Sequence, residues 1–315
     1  MKRIIKILSA ILLLLLAMYI VLLVMFQQPD KTVAELAPRW APPPSQFVEI
    51  DGMRIHLRDE GPRQAVPIVL LHGTSASLHT WEGWVQTLKS QHRVISFDLP
   101  AFGLTGPNPQ NDYSIESYSR IVIAVMDKLG VDQFVLAGNS LGGYIAWATT
   151  VFHPERVTKL VLVDASGYPY EPTSVPLAFQ ISRQPLLKLL IGDMLPRSLV
   201  VKSVKNVYGD TSKVTPELVD RYYQLTTRAG NRQALAERFE QTQPGPLMHR
   251  IVEIKQPTLI IWGQEDRLIP VSFGRRFQED IENSELVIFA TLGHVPHEED
   301  PQSTVKSVME FLDRE

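Results

Sequence analysis

A serine between two glycines is the first feature of this sequence that could carry chemistry. Ser140 stands in Gly138-Asn-Ser-Leu-Gly142, directly after the apolar run Phe134–Ala137 and before a helical pattern that begins at Leu141. Glycines on both sides allow the sharp turn between a strand and a helix that raises a serine hydroxyl above a sheet. Amide groups at the start of the helix would then face the reacting atoms. We therefore predict that Ser140 is a nucleophile.

A serine hydroxyl needs a base and an orienting carboxylate before it attacks a carbonyl. Asp266 follows the apolar run Leu259–Trp262, and His294 follows the apolar run Leu286–Phe289. The chain order serine, aspartate, histidine is the one expected for a serine on such a turn. Ser140, Asp266 and His294 are therefore the predicted catalytic triad, with His294 as the base and Asp266 as its partner.

Other residues compete for two of these roles. His297, three residues beyond His294, is an alternative base. Asp164, which ends an earlier apolar run, and Glu265, which precedes Asp266, are alternative carboxylates. The remaining histidines show no metal-ligand spacing, so neither a metal nor a cofactor is predicted.

The elements that must position these residues begin with a predicted hairpin. Apolar and polar residues alternate over Gln46–Ile50 and Met53–Arg58, around the turn sequence Asp51-Gly52. Short, continuous apolar runs follow, of the kind that suits strands buried on both faces. These runs are Ile68–Leu71, Val94–Phe97, Phe134–Ala137, Leu160–Val163, Leu259–Trp262 and Leu286–Phe289.

Helical patterns lie between most of these runs. They are Trp81–Leu88, Ile115–Leu129, Leu141–Phe152, Val271–Ile281 and Thr304–Leu312. Alternation of strand and helix predicts an α/β fold with a mostly parallel, eight-stranded sheet flanked by helices.

One stretch breaks the alternation. Between residues 167 and 253, helical patterns such as Leu186–Leu190 and Pro216–Leu225 occur without a convincing strand. We predict that residues 167–253 form a helical cap inserted into the sheet domain. The sheet domain would then comprise residues 46–166 and 254–315.

Residues 1–26 carry a long apolar segment. Ile7–Phe26 is almost entirely apolar, and a helix of that length spans the roughly 30 Å core of a bilayer. The basic residues Lys2, Arg3 and Lys6 precede it, which predicts a cytoplasmic N-terminus and a catalytic domain outside, periplasmic in a bacterium. A cleaved signal peptide is the alternative, but it would be shorter and would end in a small-residue cleavage site.

Residues 27–45 separate the predicted anchor from the sheet domain. They contain Pro38 and the run Pro42-Pro43-Pro44. Because proline breaks helical hydrogen bonding, we predict that this segment forms no regular helix. It would act as a semi-rigid spacer that lifts the domain off the membrane.

Composition limits the possible classes of function. A chain of 315 residues can form one large domain with an inserted subdomain. Its 31 basic and 34 acidic residues give a net charge of −3, without the clustered basic excess of a nucleic-acid-binding protein. The lack of cysteine excludes disulfides, thiolate metal sites and a cysteine nucleophile. No oligomeric state follows from these data.

Five separated motifs resemble the α/β-hydrolase superfamily. They are Leu71-His72-Gly73, Asp98-Leu-Pro-Ala-Phe-Gly103, Gly138 to Gly142, Trp262-Gly263-x-x-Asp266 and Gly293-His294-x-Pro296-x-x-Glu299-x-Pro301. The second motif departs from the family pattern at Ala101, where glycine is usual. The resemblance extends over nearly everything from Gln46 to Glu315 and implies an α/β-hydrolase fold.

The resemblance also implies the roles of the site residues. Ser140 would attack a substrate carbonyl, and His294 would take its proton and later activate water. The oxyanion would meet the backbone N–H groups of Leu141 and Thr74, with Ser75 as the alternative to Thr74.

A serine nucleophile predicts acyl-serine chemistry. We expect hydrolysis of small-molecule carboxylic esters with small to medium acyl chains, as an esterase or lipase performs it. Hydrolysis of a carbon–carbon bond in a vinylogous diketone is the alternative, because residues Gly138 to Gly143 resemble the serine motif of those hydrolases. A tethered binding module without turnover is a third interpretation. The cap would shape the pocket, with Phe179 and Pro185–Leu187 as candidate lining residues.

Overall fold

An eight-stranded sheet forms the centre of the computed structural model, which describes residues 2–169, 174, 179–180, 194–241, 243 and 245–314. The strands are β1 (Gln46–Ile50), β2 (Met53–Glu60), β3 (Pro67–Leu71), β4 (Arg93–Phe97), β5 (Phe134–Asn139), β6 (Val157–Val163), β7 (Thr258–Gly263) and β8 (Ser284–Phe289). Their order across the sheet is β1-β2-β4-β3-β5-β6-β7-β8. β2 is antiparallel to both of its neighbours, and all other pairs are parallel. The predicted fold class is confirmed.

Helices flank the sheet, and further helices precede its first strand in the chain. They are α1 (Lys2–Phe26), α2 (Val33–Trp40), α3 (Glu82–Leu88), α4 (Ile115–Lys128), α5 (Leu141–Phe152), α6 (Arg197–Val207), α7 (Pro216–Thr226), α8 (Asn231–Gln241), α9 (Ser272–Asp280), α10 (Pro296–Glu299) and α11 (Pro301–Leu312). Short 3₁₀ helices occupy Leu78–Trp81, Thr211–Lys213 and Met248–Glu253. The helix predicted from Trp81 therefore begins one residue later, after a 3₁₀ turn.

Burial on both faces explains why the central strands are continuously apolar. In β3, Val69 and Leu71 belong to one apolar layer, while Ile68 and Leu70 belong to the other. Helices α4 and α5 cover the first layer, and α3 and α11 cover the second. A polar side chain on either face would lose its hydration without compensation, so an alternating pattern would be unstable here.

The parallel strands bring their carboxyl ends to one edge of the sheet. β3, β5, β6, β7 and β8 all run in the same direction. The loops that follow β3, β5, β7 and β8 therefore meet at this edge. Ligands of open α/β sheets bind at such an edge.

The stretch between β6 and β7 contains helices and no strand of the sheet among the residues that the structure describes. It contains α6, α7 and α8, and the predicted pattern Pro216–Leu225 corresponds to α7. The predicted helical pattern Leu186–Leu190 lies outside the described residues. Helices thus separate β6 from β7 in the chain, and the boundaries of the cap, residues 167–253, stay a prediction.

The N-terminal helix α1 is long and apolar enough to cross a membrane by length and composition. None of its side chains is buried against the remaining protein. A signal sequence passes the same test, so the anchor and its orientation remain predictions.

The prediction that residues 27–45 contain no regular helix is wrong, because α2 occupies Val33–Trp40. A capping box starts the helix: Thr32 Oγ1 accepts from the Glu35 N–H at 3.3 Å, and the Glu35 carboxylate accepts from the Thr32 N–H at 2.8 Å. Leu36 is buried against Leu104 and Leu225. The cap and this burial offset the single backbone hydrogen bond that Pro38 cannot make.

Candidate active site

A strained turn between β5 and α5 carries Ser140. Its backbone angles are φ 55° and ψ −114°, a conformation that costs a non-glycine residue about 1–3 kcal/mol. A Cβ on Gly138 would lie 2.1 Å from the Gly142 carbonyl oxygen, and one on Gly142 would lie 2.1 Å from the Leu71 carbonyl oxygen. Both glycines are therefore required for the close approach of β5, α5 and β3 that projects the serine.

A buried hydrogen bond joins the predicted base and acid. His294 Nδ1 lies 2.7 Å from Asp266 Oδ2. Asp266 Oδ1 accepts from the N–H groups of Leu268 at 2.8 Å and Ile269 at 2.9 Å. These three contacts fix the carboxylate. Because His294 Nδ1 is hydrogen-bonded to Asp266, His294 Nε2 is the nitrogen available to exchange a proton with substrate groups.

One cavity brings the predicted site residues together. It has a volume of about 200 Å³, and its walls include Ser140, His294, Leu141, Thr74 and Ser75. Leu141 is the first residue of α5, so its N–H has no carbonyl partner within the helix. The structure therefore places the predicted nucleophile, the predicted base and the three candidate oxyanion donors around the same space.

The turn after β3 is held by a buried histidine. His72 Nδ1 lies 2.7 Å from the Gly73 carbonyl oxygen, and its Nε2 accepts from the Leu99 N–H at 2.9 Å. Burial lowers the pKa of His72, which favours the neutral ring with its proton on Nδ1. The Gly73 oxygen also accepts from the Ala76 N–H at 3.2 Å. The amides of residues 74 and 75 therefore lie within a fixed turn.

The alternative base and one alternative acid lie elsewhere. His297 is fully buried, with Nε2 3.0 Å from Thr80 Oγ1 and its ring centroid 4.0 Å from that of Trp81. Burial, and then the neighbouring His294, lowers the pKa of His297 well below its usual range. Glu265 is exposed. Neither side chain has the contacts of a catalytic base or acid.

The other alternative acid, Asp164, lies close to the predicted pair. One oxygen of Asp164, one oxygen of Asp266 and a ring nitrogen of His294 lie within 4.8 Å of one another. Asp164 Oδ1 accepts from the Gly263 N–H at 3.0 Å. Burial, and then the charge of Asp266, raises the pKa of Asp164 well above its usual range. Within the described part of the chain these three side chains are also the one set with metal-ligand spacing.

Two residues that received no role from the sequence stabilise the His294 loop. Asn139 Nδ2 donates to the carbonyl oxygens of His294 at 2.9 Å and Val163 at 3.1 Å. The Glu299 carboxylate accepts from the N–H groups of Gly293 at 2.8 Å and Gly209 at 3.0 Å. Asn139 and Glu299 both belong to family motifs found in the sequence, but those motifs do not show which groups the two side chains contact.

Comparison with known proteins identifies the family. The family described as alpha/beta hydrolase fold matches residues 66–301. The chain belongs to the α/β-hydrolase fold family. The resemblance inferred from the five motifs is therefore confirmed, and the protein is a hydrolase of this fold.

Individual relatives of this α/β-hydrolase differ in the reaction for which they are named. A 2-hydroxy-6-oxononadienedioate/2-hydroxy-6-oxononatrienedioate hydrolase of Burkholderia vietnamiensis is 31% identical over 86% of this chain and 96% of its own. A meta-cleavage product hydrolase of Pseudomonas fluorescens IP01 has a TM-score of 0.74 at 25% identity over 85% of this chain and 97% of its own. A bacterial membrane phospholipase A has a TM-score of 0.73 at 26% identity over 99% of this chain and 98% of its own.

Proposed function

We propose that this protein is a membrane-anchored serine hydrolase that cleaves acyl esters of membrane lipids, in the manner of a phospholipase A. Ser140 attacks the ester carbonyl, and His294 takes its proton and passes it to the leaving alcohol. Asp266 orients the imidazole and stabilises its charged form. The N–H groups of Thr74 and Leu141 stabilise the oxyanion. Water, activated by His294, then releases the acyl group from Ser140.

One contact carries the proposal of a lipid substrate. The carbonyl of Phe26, the last residue of α1, accepts a hydrogen bond from the Leu195 N–H at 2.9 Å. Leu195 itself lines the cavity that contains Ser140. If α1 lies in a bilayer, this wall of the cavity lies at the membrane surface. An acyl chain that leaves the bilayer then has a short path to the serine.

Further contacts attach the inserted helices to the chain that follows α1. The Lys31 N–H donates to the Thr227 carbonyl at 2.7 Å, and the Ala229 N–H donates to the Lys31 carbonyl at 2.8 Å. Asp30 forms an ion pair with Arg232 of α8. These contacts keep the insertion beside the end of α1, which supports delivery of substrate from the membrane.

The cavity itself suits an acyl chain. Apolar side chains from α6 and α8 line it, including Val200, Val204, Leu235 and Phe239. Its volume of about 200 Å³ is below the roughly 300–1,000 Å³ of most ligand pockets. The small to medium acyl chains expected from the sequence would fit this volume, and the longer acyl chain of a membrane phospholipid would extend beyond it. Phe179 also lines the cavity, whereas Pro185–Leu187 lie outside the described residues.

The extent of the similarity also favours the lipid substrate. The match to the membrane phospholipase A covers 99% of the chain and must therefore include most of α1. The match to the Burkholderia relative leaves about a seventh of the chain uncovered. A match that includes the apolar N-terminal helix supports a substrate in the membrane.

The proposal includes an orientation of the anchor. Lys2, Arg3 and Lys6 precede the apolar segment, which favours a cytoplasmic N-terminus and a catalytic domain on the outer face. Protease added to intact cells or spheroplasts should then degrade the catalytic domain, whereas protection would reverse the orientation.

Hydrolysis of a carbon–carbon bond is the second candidate. The Burkholderia and Pseudomonas relatives are named for that reaction. In this chain Arg238, which is 6% exposed, lines the cavity, and a guanidinium there could hold the carboxylate of a vinylogous diketone. The same nucleophile and base would serve both reactions.

The test compares three substrates with the full-length protein in detergent micelles or reconstituted vesicles. These are phosphatidylethanolamine, p-nitrophenyl esters of increasing acyl length and a 2-hydroxy-6-oxo-dienoate. We expect release of fatty acid from the phospholipid and turnover of the nitrophenyl esters, both absent from Ser140→Ala.

The other outcomes separate the candidates. Turnover of the dienoate alone would establish the carbon–carbon hydrolase. A folded protein that cleaves none of the three and is not labelled at Ser140 by a fluorophosphonate would be a binding module.

A further inference from the structure

A second buried carboxyl lies beside the Asp266–His294 pair without a role in the proposed reaction. Asp164 directly follows β6 and is completely buried. Its Oδ1 accepts from the Gly263 N–H at 3.0 Å, but its Oδ2 has no hydrogen-bond donor among the described residues. A buried oxygen without a donor is costly for an ionised carboxylate. Such an oxygen is satisfied if it carries a proton of its own.

The charges around Asp164 decide which carboxyl is protonated. Asp266, Glu299 and His294 are the titratable groups that face it. Two carboxylates this close cannot both remain ionised in a buried site. Asp266 accepts from His294 and from two backbone amides, whereas Asp164 accepts from one amide. The negative charge therefore belongs on Asp266 and the proton on Asp164.

We propose that Asp164 is a positioning residue whose protonated carboxyl donates Oδ2–H to the Asp266 carboxylate. Asp266 then receives four hydrogen bonds: from Asp164, His294 and the amides of Leu268 and Ile269. A carboxylate with all four lone-pair sites occupied cannot rotate away from the imidazole. This inference rests on the proposed acyl-serine chemistry for its effect on rate.

The backbone makes Asp164 suitable for this position. Its φ is 43°, in the left-handed region that aspartate tolerates better than most residues. Its own N–H donates to the Ile261 carbonyl at 3.0 Å. The pairing of β6 with β7 thus fixes the Cα of Asp164 beside the loop that carries Asp266.

A donated hydrogen bond should also tune the base. It withdraws electron density from Asp266, which makes the carboxylate a weaker partner for imidazolium. Without this donor, Asp266 would interact more strongly with the protonated imidazole. Neutral His294 is the active form, so the acid limb of the kcat/KM profile would move to higher pH.

Infrared spectroscopy tests the protonation state without any substrate. In the full-length wild type at neutral pH we expect the C=O stretching band of a buried protonated carboxyl, which Asp164→Asn removes. If the wild type has no such band, or if the band remains in Asp164→Asn, the proposal is overturned.

Two variants test the donated hydrogen bond. In Asp164→Asn, the amide Nδ2 replaces Oδ2–H as donor and Oδ1 still accepts from Gly263. We expect kcat/KM within about threefold of wild type and an unshifted acid limb. In Asp164→Ala the donor is lost, and we expect kcat/KM to fall about 10- to 100-fold with the acid limb moved to higher pH.

Comparison of the Asn and Ala variants distinguishes a hydrogen-bond donor at residue 164 from other roles of this side chain. If Asn lowers the rate as much as Ala, Asp164 acts as an ionised acid and the proposal is overturned. If Ala lowers the rate without moving the acid limb, the role is purely structural and the proposal is also overturned. Should Asp164→Ala fail to fold, the spectroscopic test and the Asn variant still decide. A wild type without ester turnover would refute the proposed function while leaving the infrared result valid.

Discussion

The turn at Ser140 and the segment between α1 and β1 are held in opposite ways. At the turn, backbone meets backbone with no room for a single methyl group on Gly138 or Gly142. Besides the buried Leu36 and the backbone pairing at Lys31, polar side chains hold the segment: Trp40 Nε1 donates to Gln224 at 2.9 Å, and Arg39 lies 3.3 Å from Asp220. The first region is rigid because its contacts are close and buried. The second is held by separate contacts spread along the segment, of which the burial of Leu36 is the largest.

The difference suggests that the turn serves catalysis and the segment serves access of substrate to the cavity. Catalysis needs reacting groups fixed to within a fraction of an ångström, which a buried turn between strand and helix supplies. Substrate must reach the cavity past its walls, and the Leu195 N–H in one wall donates to the Phe26 carbonyl of α1. Changes at the turn should therefore abolish the chemistry, and changes in the segment should alter which substrates reach it.

The largest effect is expected for Asp266→Asn. The N–H groups of Leu268 and Ile269 would keep the amide oxygen at the Oδ1 position, so the amide NH₂ would face His294 Nδ1 and could only donate to it. This favours the wrong tautomer of the imidazole, and kcat should fall by about 10⁴-fold. Glu265→Gln is the matched control, because Glu265 is adjacent in sequence and its side chain is exposed. This variant should retain activity. Steady-state kinetics on a p-nitrophenyl ester gives both values. A loss below tenfold for Asp266→Asn would assign the acid elsewhere.

Gly142→Ala should have the next largest effect. Its Cβ would lie 2.1 Å from the Leu71 carbonyl oxygen, so β3 or α5 must shift and the turn at Ser140 must distort. We expect a loss of stability of about 3 kcal/mol or more, with fluorophosphonate labelling reduced at least tenfold. Gly130→Ala is the control, since nothing lies within 4 Å of its Cβ. It should cost about 1 kcal/mol, because Gly130 has a positive φ. Thermal melts and labelling rates check both variants.

Leu36→Ala tests the segment between α1 and β1. Its side chain is buried against Leu104 of the sheet domain and Leu225 of α7, and its truncation should cost about 2–4 kcal/mol. Hydrolysis of vesicle phospholipid should fall more than hydrolysis of a soluble ester, because the segment positions the cavity wall near the membrane. Val252→Ala, at an exposed position, should change neither. Equal losses on both substrates would contradict separate roles for the turn and the segment.

The same two regions show how far sequence reasoning reaches. The strands and the residues at their carboxyl ends were predictable, because burial on both faces imposes continuous apolar runs and a parallel sheet gathers its loops at one edge. Asn139 was not assigned and Asp164 was considered only as an alternative acid, since their contacts join residues 24 to 155 positions apart. The helix α2 was missed for a related reason. Burial of Leu36 against two distant elements outweighs the proline, and no local pattern reveals those partners.

Arg39→Ala should have the smallest effect and sharpens the comparison most. The side chains of Arg39 and Asp220 are 47% and 31% exposed, and an exposed ion pair contributes about 0–1 kcal/mol. Stability should therefore change by less than about 1 kcal/mol, and the change should shrink further in high salt. Lys306→Ala, which removes an exposed pair with Glu310 on α11, should have the same effect on stability. If the segment controls access, only Arg39→Ala will change the ratio of vesicle to soluble-ester hydrolysis. A ratio equal to that of Lys306→Ala would show that this contact does not influence the cavity wall, and that Leu36 and the backbone pairing at Lys31 hold the segment without it.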